Sequence, residues 1–100
     1  MLHFDSTSHH VPAASLVSER GIEFLAVNIQ KMGPEDQAEA DLILKYLSSL
    51  LSLPPVLASR QPDGEWLLFG EAQFVSACRT ADLDHVKWVE HSLIIRRVES

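Results

Sequence analysis

The chain has 100 residues, of which 46% are hydrophobic and 22% are charged. This length allows one domain with a real core, and the composition lies far from that of disordered chains. The formal net charge of −6 argues against direct binding of nucleic acid, whose phosphates attract basic surfaces.

The cysteine content and the hydropathy pattern indicate the compartment. The single cysteine, Cys78, excludes an intrachain disulfide and a cysteine-based zinc site, and it favours a reducing environment. Residues 1–10 show no pattern of a secretory signal or a transit peptide. No apolar stretch approaches the roughly 18 residues that a membrane span needs. We therefore expect a cytoplasmic protein that does not contact a membrane.

Residues 1–20 are rich in serine, threonine and histidine and show no sustained hydrophobic period. They predict a loosely ordered segment, with a short helical turn within residues 13–18 as an alternative, ahead of one domain over residues 21–100. His3, His9 and His10 could capture a metal ion, but histidines on a flexible tail rarely form a preorganised site. We expect no metal site there.

The first regular elements are a strand and a helix. The run from Ile22 to Ile29 is apolar on both faces, which is typical of a buried strand. Gly33-Pro34-Glu35-Asp36 then predicts a helix start, because proline suits the first helical position and acidic residues complement the helix dipole. The apolar stripe of this helix continues to about Leu51, and Pro54-Pro55 ends it.

A hairpin follows the first helix. Residues 56–59 and 65–69 form two short strand-like runs, and Pro62-Asp63-Gly64 between them is a turn signal. A second helix begins at Gly70, a strand is expected at residues 86–90, and residues 93–98 could form a strand or a terminal helix. The pattern predicts an α/β fold, more narrowly α+β, with a small mixed sheet and two main helices.

The order of short motifs carries a family resemblance. Pro55-Val56-Leu57, the Asp63-Gly64 turn, Gly70-Glu71 and the run from Ala81 to Val86 follow one another as in the N-terminal domain of ParB-type partition proteins. Residues 22–90 therefore resemble the ParB/sulfiredoxin fold family. The resemblance implies a mixed sheet and, in the ParB branch, a nucleotide whose phosphates lie near the second helix start.

The turn that carries the chemistry of that family is altered here. The ParB branch has Gly-Glu-Arg-Arg, whereas this chain has Gly70-Glu71-Ala72-Gln73, so both charged phosphate donors are missing. In the sulfiredoxin branch the nucleophilic cysteine aligns with Ala72, and Cys78 lies inside the predicted helix. The resemblance implies a scaffold without the catalytic residues of the family, so we expect no enzyme and no cofactor.

The helix start could still hold a phosphate or a nucleotide. Its backbone N–H groups favour anions, and the candidate ligand-binding residues are Gly70, Glu71, Ala72, Gln73, Arg60 and Arg79. The simpler interpretation is that the glycine permits a tight turn and the glutamate favours the helix start. Cys78 is expected to be a buried, inert thiol, and His85 and His91 lack a catalytic partner at a recognisable spacing.

The candidate interface lies near the C-terminal end of the sequence. Trp66 and Trp88 occur in short strands, where large aromatic residues usually pack a sheet against helices, although an exposed one would mark an interface. Ile94 and Arg96 belong to an apolar and then basic segment that could pair with another chain through a strand edge. The candidate interface residues are therefore Trp88, Ile94 and Arg96.

The leading hypothesis is a non-catalytic, stand-alone ParB/sulfiredoxin-like module that acts through an unidentified protein partner or through self-association. One alternative is a nucleotide- or phosphate-binding domain that uses the helix start at Gly70. Another is an accessory factor of plasmid partition or transcription that reaches DNA through a partner.

Overall fold

The computed structural model describes the backbone of residues 8–94 and the side chains of residues 11–90. The elements are, in chain order, β1 (Ser8–Val17), β2 (Glu23–Asn28), a 3₁₀ turn (Pro34–Asp36), α1 (Gln37–Leu50), β3 (Pro55–Arg60), β4 (Trp66–Phe69), α2 (Ala72–Thr80) and β5 (Val89–Ile94). The five strands form one sheet in the order β4-β3-β2-β1-β5. Strands β2 and β3 are parallel and the other neighbours are antiparallel. The predicted α+β fold with a small mixed sheet and two main helices is confirmed.

The N-terminal segment differs from the prediction. Ser8–Val17 is a strand that lies between β2 and β5, so the expectations of a loosely ordered segment and of a helical turn within residues 13–18 are wrong for these residues. Val11 and Ala13 are buried on one face and Ala14 on the other. Pro12 lies where β1 pairs with β5 but beyond the register with β2, so it interrupts none of the β1–β2 pairs.

Local signals set the bounds of α1. The Gly33 backbone N–H donates to Asp36 Oδ2 at 2.9 Å, and the Asp36 N–H donates to the Gly33 carbonyl at 3.0 Å. This closes the 3₁₀ turn from which α1 continues, as the proline and acidic residues predict. At the other end, the Leu51 N–H donates to the Leu47 carbonyl at 2.8 Å, close to the predicted end of the helix.

The two helices cover opposite faces of the sheet. On the α1 face the buried cluster includes Val27, Leu57 and Leu47. On the α2 face it includes Phe24 and Phe74, whose ring centroids lie 4.7 Å apart. Successive residues of β2 and β3 point alternately into the two clusters, as the two-residue period of a strand requires. The sheet is therefore the shared middle layer of two cores.

The last strand is shifted relative to the prediction. The sequence predicts a strand at residues 86–90 and a separate element at residues 93–98, whereas β5 is one strand from Val89 to Ile94. Its pairing with β1 over Ser8 to Ala13 fixes the register, and this pairing is not visible in the local sequence. Residues 95–98 lie outside the part of the chain that the structure describes.

No helix within residues 8–94 combines the length and the apolar character that a membrane crossing needs.

Candidate functional site

The predicted ligand-binding residues fall at two opposite ends of the sheet. Leu57 pairs with Phe69, which places Gly70 beside the beginning of β3, whereas Arg60 ends that strand. The four-residue step from Val56 to Arg60 spans roughly 13 Å. Arg79 lies near the C-terminal end of α2, and the six-residue step from Gln73 to Arg79 spans roughly 9 Å along the helix. The structure therefore does not bring either arginine to the Gly70 turn.

Gly70 has a steric reason to be glycine. Its backbone φ is +152°, a value that L-residues with a side chain rarely adopt. A Cβ at this position would lie 3.1 Å from Val56 Cγ2, tighter than an ordinary contact. The simpler interpretation of the glycine, a tight strand-to-helix turn, accounts for it without a ligand.

An acidic side chain lies at the start of α2. The Glu71 carbonyl accepts hydrogen bonds from the Phe74 and Val75 N–H groups, both at 3.0 Å. The side-chain oxygen Oε1 of Glu71 accepts a further hydrogen bond from Gln73 Nε2 at 2.8 Å. Ala72 adds no polar side-chain atom. The negative charge beside the first turn opposes a phosphate there, because both anions would compete for the same positive end of the helix dipole.

Cys78 belongs to the core. It is 1% exposed and lies in the cluster that includes Phe24 and Phe74. Burial raises the pKa of the thiol to about 11, while the neighbouring Arg79 charge acts in the opposite direction. Since the thiolate is the reactive species, the thiol is inert near neutral pH, as expected from the sequence.

This raised pKa predicts a loss of stability in base. The ordinary pKa of the thiol is 9.0 and its folded-state pKa is about 11, so between these values the unfolded chain releases the thiol proton while the folded chain retains it. Unfolding then becomes more favourable as pH rises, by about 2 kcal/mol at pH 11. Urea unfolding at about pH 8, 9, 10 and 11 measures this decline.

The control for that experiment is Cys78→Ala. This variant is less stable than the wild type near neutral pH, because it removes a buried sulfur, but its stability does not fall with pH through ionisation of the thiol. We expect the stability difference between wild type and Cys78→Ala to shrink as pH rises above the ordinary thiol pKa. A constant difference contradicts the raised pKa.

A groove lies at the other end of the sheet, where the parallel strands β2 and β3 end. It has a volume of about 700 Å³, and its walls include Asn28, Lys31, Arg60, Trp66, Asp84 and Trp88. We call it the tryptophan groove. The carboxyl ends of parallel strands are a common location for binding sites in α/β sheets, because the loops that follow them diverge.

Polar contacts hold the walls of the tryptophan groove in place. Asp84 Oδ1 accepts hydrogen bonds from Arg60 Nη1 at 2.5 Å and from Trp66 Nε1 at 3.3 Å. The two indole rings stack with centroids 5.8 Å apart, and Trp88 Nε1 donates to the Leu83 carbonyl at 3.0 Å. The Arg60 guanidinium lies 5.7 Å from the Trp66 ring centroid. Both indole N–H groups therefore have partners, while both rings remain only partly buried.

The ion pair in this arrangement orients side chains more than it stabilises the fold. The side chains of Arg60 and Asp84 are 54% and 42% exposed. A pair this exposed contributes at most about 1 kcal/mol to stability, because water screens it. Its effect is to fix the guanidinium beside the Trp66 ring.

The loop after β2 is attached to the hairpin. Gln61 Nε2 donates to the Met32 carbonyl at 2.8 Å, and the buried Met32 N–H donates to Ser59 Oγ at 3.2 Å. These contacts position Lys31, which has a φ of +62° and is the only non-glycine residue with positive φ within residues 8–94. The part of the groove rim that carries Lys31 is thereby held by two hydrogen bonds to the neighbouring residue Met32.

Of the five histidines, His85 is the one whose side chain the structure describes, and it adds no catalytic arrangement. His85 Nδ1 contacts an Asp82 carboxylate oxygen, a pairing that the sequence analysis does not predict. Both side chains are largely exposed. Asp82 also closes its own turn, since Oδ1 accepts from the Asp84 N–H at 3.2 Å. Ile94 ends β5 and the backbone of His91 lies within it.

Several predicted residues lie outside what the structure describes. The side chains of His9, His10, His91 and Ile94 are among them, as are His3 and Arg96 altogether. Of the three candidate interface residues, Trp88 can be placed in full, and it belongs to the tryptophan groove.

Comparison with models of protein families, with curated proteins and with solved structures gives no match to this chain. The resemblance to the ParB/sulfiredoxin family therefore stays a prediction.

Proposed function

We propose that this chain is a non-catalytic binding module that acts through protein–protein contacts made at the tryptophan groove. The observation that carries the proposal is the pair of partly exposed, stacked indole rings with the Arg60 guanidinium fixed beside them. Tryptophan and arginine are the residues that most often dominate the energy of protein interfaces. A site whose side chains are already ordered loses less entropy on binding.

The groups that could perform catalysis support a non-catalytic role. On the predicted resemblance to sulfiredoxins, the position of the nucleophile is Ala72, which has no reactive side chain. The Cys78 thiol is buried and has a raised pKa. His85 lies in an exposed turn with Asp82, and no nucleophilic side chain is hydrogen-bonded to it among the described residues. A general base needs a reacting group within hydrogen-bond reach, and this arrangement presents none from the chain itself.

A nucleotide or phosphate at the Gly70 helix start is the alternative proposal. One observation favours it, because Gln73 Oε1 is buried and has no hydrogen-bond donor among the described residues. Two observations oppose it: the Glu71 carboxylate lies at the same helix start, and Arg60 is at the other end of β3. We therefore place this function second.

Site-specific photo-crosslinking tests the proposal. A benzophenone side chain replaces Gln30, which is exposed on the rim of the groove, or Leu42, which is 67% exposed and lies on the outer side of α1. In cells that naturally produce the protein, we expect one protein to be crosslinked from position 30 and not from position 42. Adding Arg60→Ala to the position-30 variant should reduce that product.

Two results would overturn the proposal. Equal crosslinking of the same protein from positions 30 and 42 would show that the groove is not the contact surface. Hydrolysis of CTP or ATP, or reduction of a sulfinic acid, by the purified chain would show an enzyme. In a ¹H–¹⁵N titration with CTP, ATP and GTP, saturable shifts of the amide resonances of Gly70 to Phe74 would favour nucleotide binding at the helix start.

A further inference from the structure

We infer that the tryptophan groove selects a partner segment in which a carboxylate side chain lies next to an apolar one. Lys31 and Arg60 would bind the carboxylate, and the rings of Trp66 and Trp88 would contact the apolar side chain. The inference rests on the proposed function and names the chemistry of the partner.

The charge of the groove is opposite to that of the chain. The chain carries a net charge of −6, yet the groove is lined by two cations, Lys31 and Arg60, against one anion, Asp84. The Asp84 carboxylate is already engaged by Arg60 and Trp66. The exposed Lys31 ammonium has no hydrogen bond or ion pair with any residue in the described part, so it sets the net sign of the groove. A complementary segment is therefore anionic.

The geometry favours a carboxylate over a phosphate. Arg60 uses Nη1 for Asp84 and is 54% exposed, so part of its planar fork remains accessible to a second carboxylate. The groove has one positive charge in excess, which a singly charged carboxylate neutralises, whereas a doubly charged phosphate would leave an excess of negative charge in a chain that already carries −6. The partly exposed indole rings beside the cations supply the surface for an apolar neighbour.

The conformation of Lys31 agrees with a role in binding. Its φ of +62° lies in the left-handed region. This backbone conformation is unfavourable for residues with a side chain, whereas glycine adopts it freely. Strained residues of this kind concentrate at binding sites, where the surrounding structure holds them. Here the Met32 and Gln61 hydrogen bonds hold the loop. A lysine at this position places a charge on the groove rim that glycine would not.

Degenerate peptide pools test the inference on the purified full chain. Each pool contains short peptides with a fixed central pair: Glu-Leu, Gln-Leu, Lys-Leu or phosphoserine-Leu. The readouts are the tryptophan fluorescence and the two indole N–H resonances, which report on the groove because the chain has two tryptophans and both line it. We expect the Glu-Leu pool to bind about tenfold more tightly than the Gln-Leu pool, because a hydrogen bond to a charged group changes the Kd by about this factor.

Charge reversal gives the sharper comparison. Lys31→Glu should shift the preference from the Glu-Leu pool to the Lys-Leu pool. The matched control is Lys45→Glu on α1, an exposed position that does not line the groove, and it should leave the preference unchanged. Lys31→Gly should lose the preference for Glu-Leu while its thermal unfolding midpoint stays equal or rises, which separates lost binding from lost folding.

The outcomes separate this inference from the proposed function. Equal binding of the Glu-Leu and Gln-Leu pools, together with a protein crosslinked from position 30, overturns the carboxylate preference and leaves the groove as a contact surface. Tightest binding of the phosphoserine-Leu pool also overturns it. No response of either indole to any pool, with no crosslinked protein, overturns both the inference and the proposed function.

Discussion

Replacing Phe24 by alanine is expected to lower the free energy of unfolding by about 3–5 kcal/mol. The side chain is fully buried, and its ring contacts the Phe74 ring of α2. Helix α2 has nine residues, of which Phe74 and Cys78 are buried, so few contacts fasten it to the sheet. A loss of this size is a large part of the roughly 5–15 kcal/mol that stabilises a typical domain. Urea unfolding monitored by circular dichroism measures it.

The control for Phe24→Ala is Leu42→Ala on the outer side of α1. Leu42 is 67% exposed, so its truncation should change the stability by no more than about 0.5 kcal/mol. If Phe24→Ala cost as little as Leu42→Ala, α2 would not be packed on the sheet as described. The position of the segment after α2, which forms part of the tryptophan groove, would then also be wrong.

Local sequence patterns predict most of the elements because their signals are contained within each segment. Strand β2 is apolar on both faces, α1 has a start motif and a continuous stripe, and Pro62-Asp63-Gly64 marks the hairpin of β3 and β4. Strand β1 lacks such a signal. Its residues include Ala13, Ala14 and Ser15, which are small and have weak strand preference, and it is a strand because β2 and β5 pair with it on both sides.

In the candidate site, too, local sequence patterns identify single residues, whereas their arrangement depends on tertiary contacts. The sequence singles out Arg60, Trp66 and Trp88 separately, but the prediction that Arg60 joins the Gly70 turn ignores the direction of the strands in the hairpin. In an antiparallel hairpin the beginning of β3 lies beside the end of β4, which separates the two positions. One signal could have located the groove: a strand, helix and strand in succession predict parallel pairing, which brings the ends of β2 and β3 together.

The partners that shape the groove cannot be found from spacing. Asp84 contacts Arg60 and Trp66 only because the segment after α2 returns to the hairpin. In the sequence Lys31 is only a lone lysine in a short link, and its left-handed conformation depends on tertiary hydrogen bonds of the neighbouring Met32. These contacts depend on how the elements pack and not on any local pattern.

Gly70→Ala is expected to lower the free energy of unfolding by about 2–4 kcal/mol, since a side chain in an unfavourable backbone region costs about 1–3 kcal/mol and crowding in a packed site adds about 1 kcal/mol or more. The crowding arises because the new Cβ would lie 3.1 Å from Val56 Cγ2. Urea unfolding of the single variant measures the total.

A double-mutant cycle with Val56→Ala separates the two contributions. Val56→Ala is destabilising by itself because Val56 is fully buried, but it removes the methyl group that the new Cβ would meet. The double variant should therefore be more stable than the sum of the two single effects predicts, and the difference gives the steric contribution. The remaining cost of Gly70→Ala is the cost of the backbone conformation.

This cycle also decides what the Gly70 turn does. If the cost of Gly70→Ala is steric and conformational, the glycine is explained by the fold, and a nucleotide should leave the ¹H–¹⁵N spectra of wild type and variant equally unchanged. Unchanged stability of Gly70→Ala, together with nucleotide-induced shifts in wild type that the variant lacks, would contradict this explanation. The binding function would then belong to the start of α2, where Gln73 Oε1 would gain a donor from the ligand.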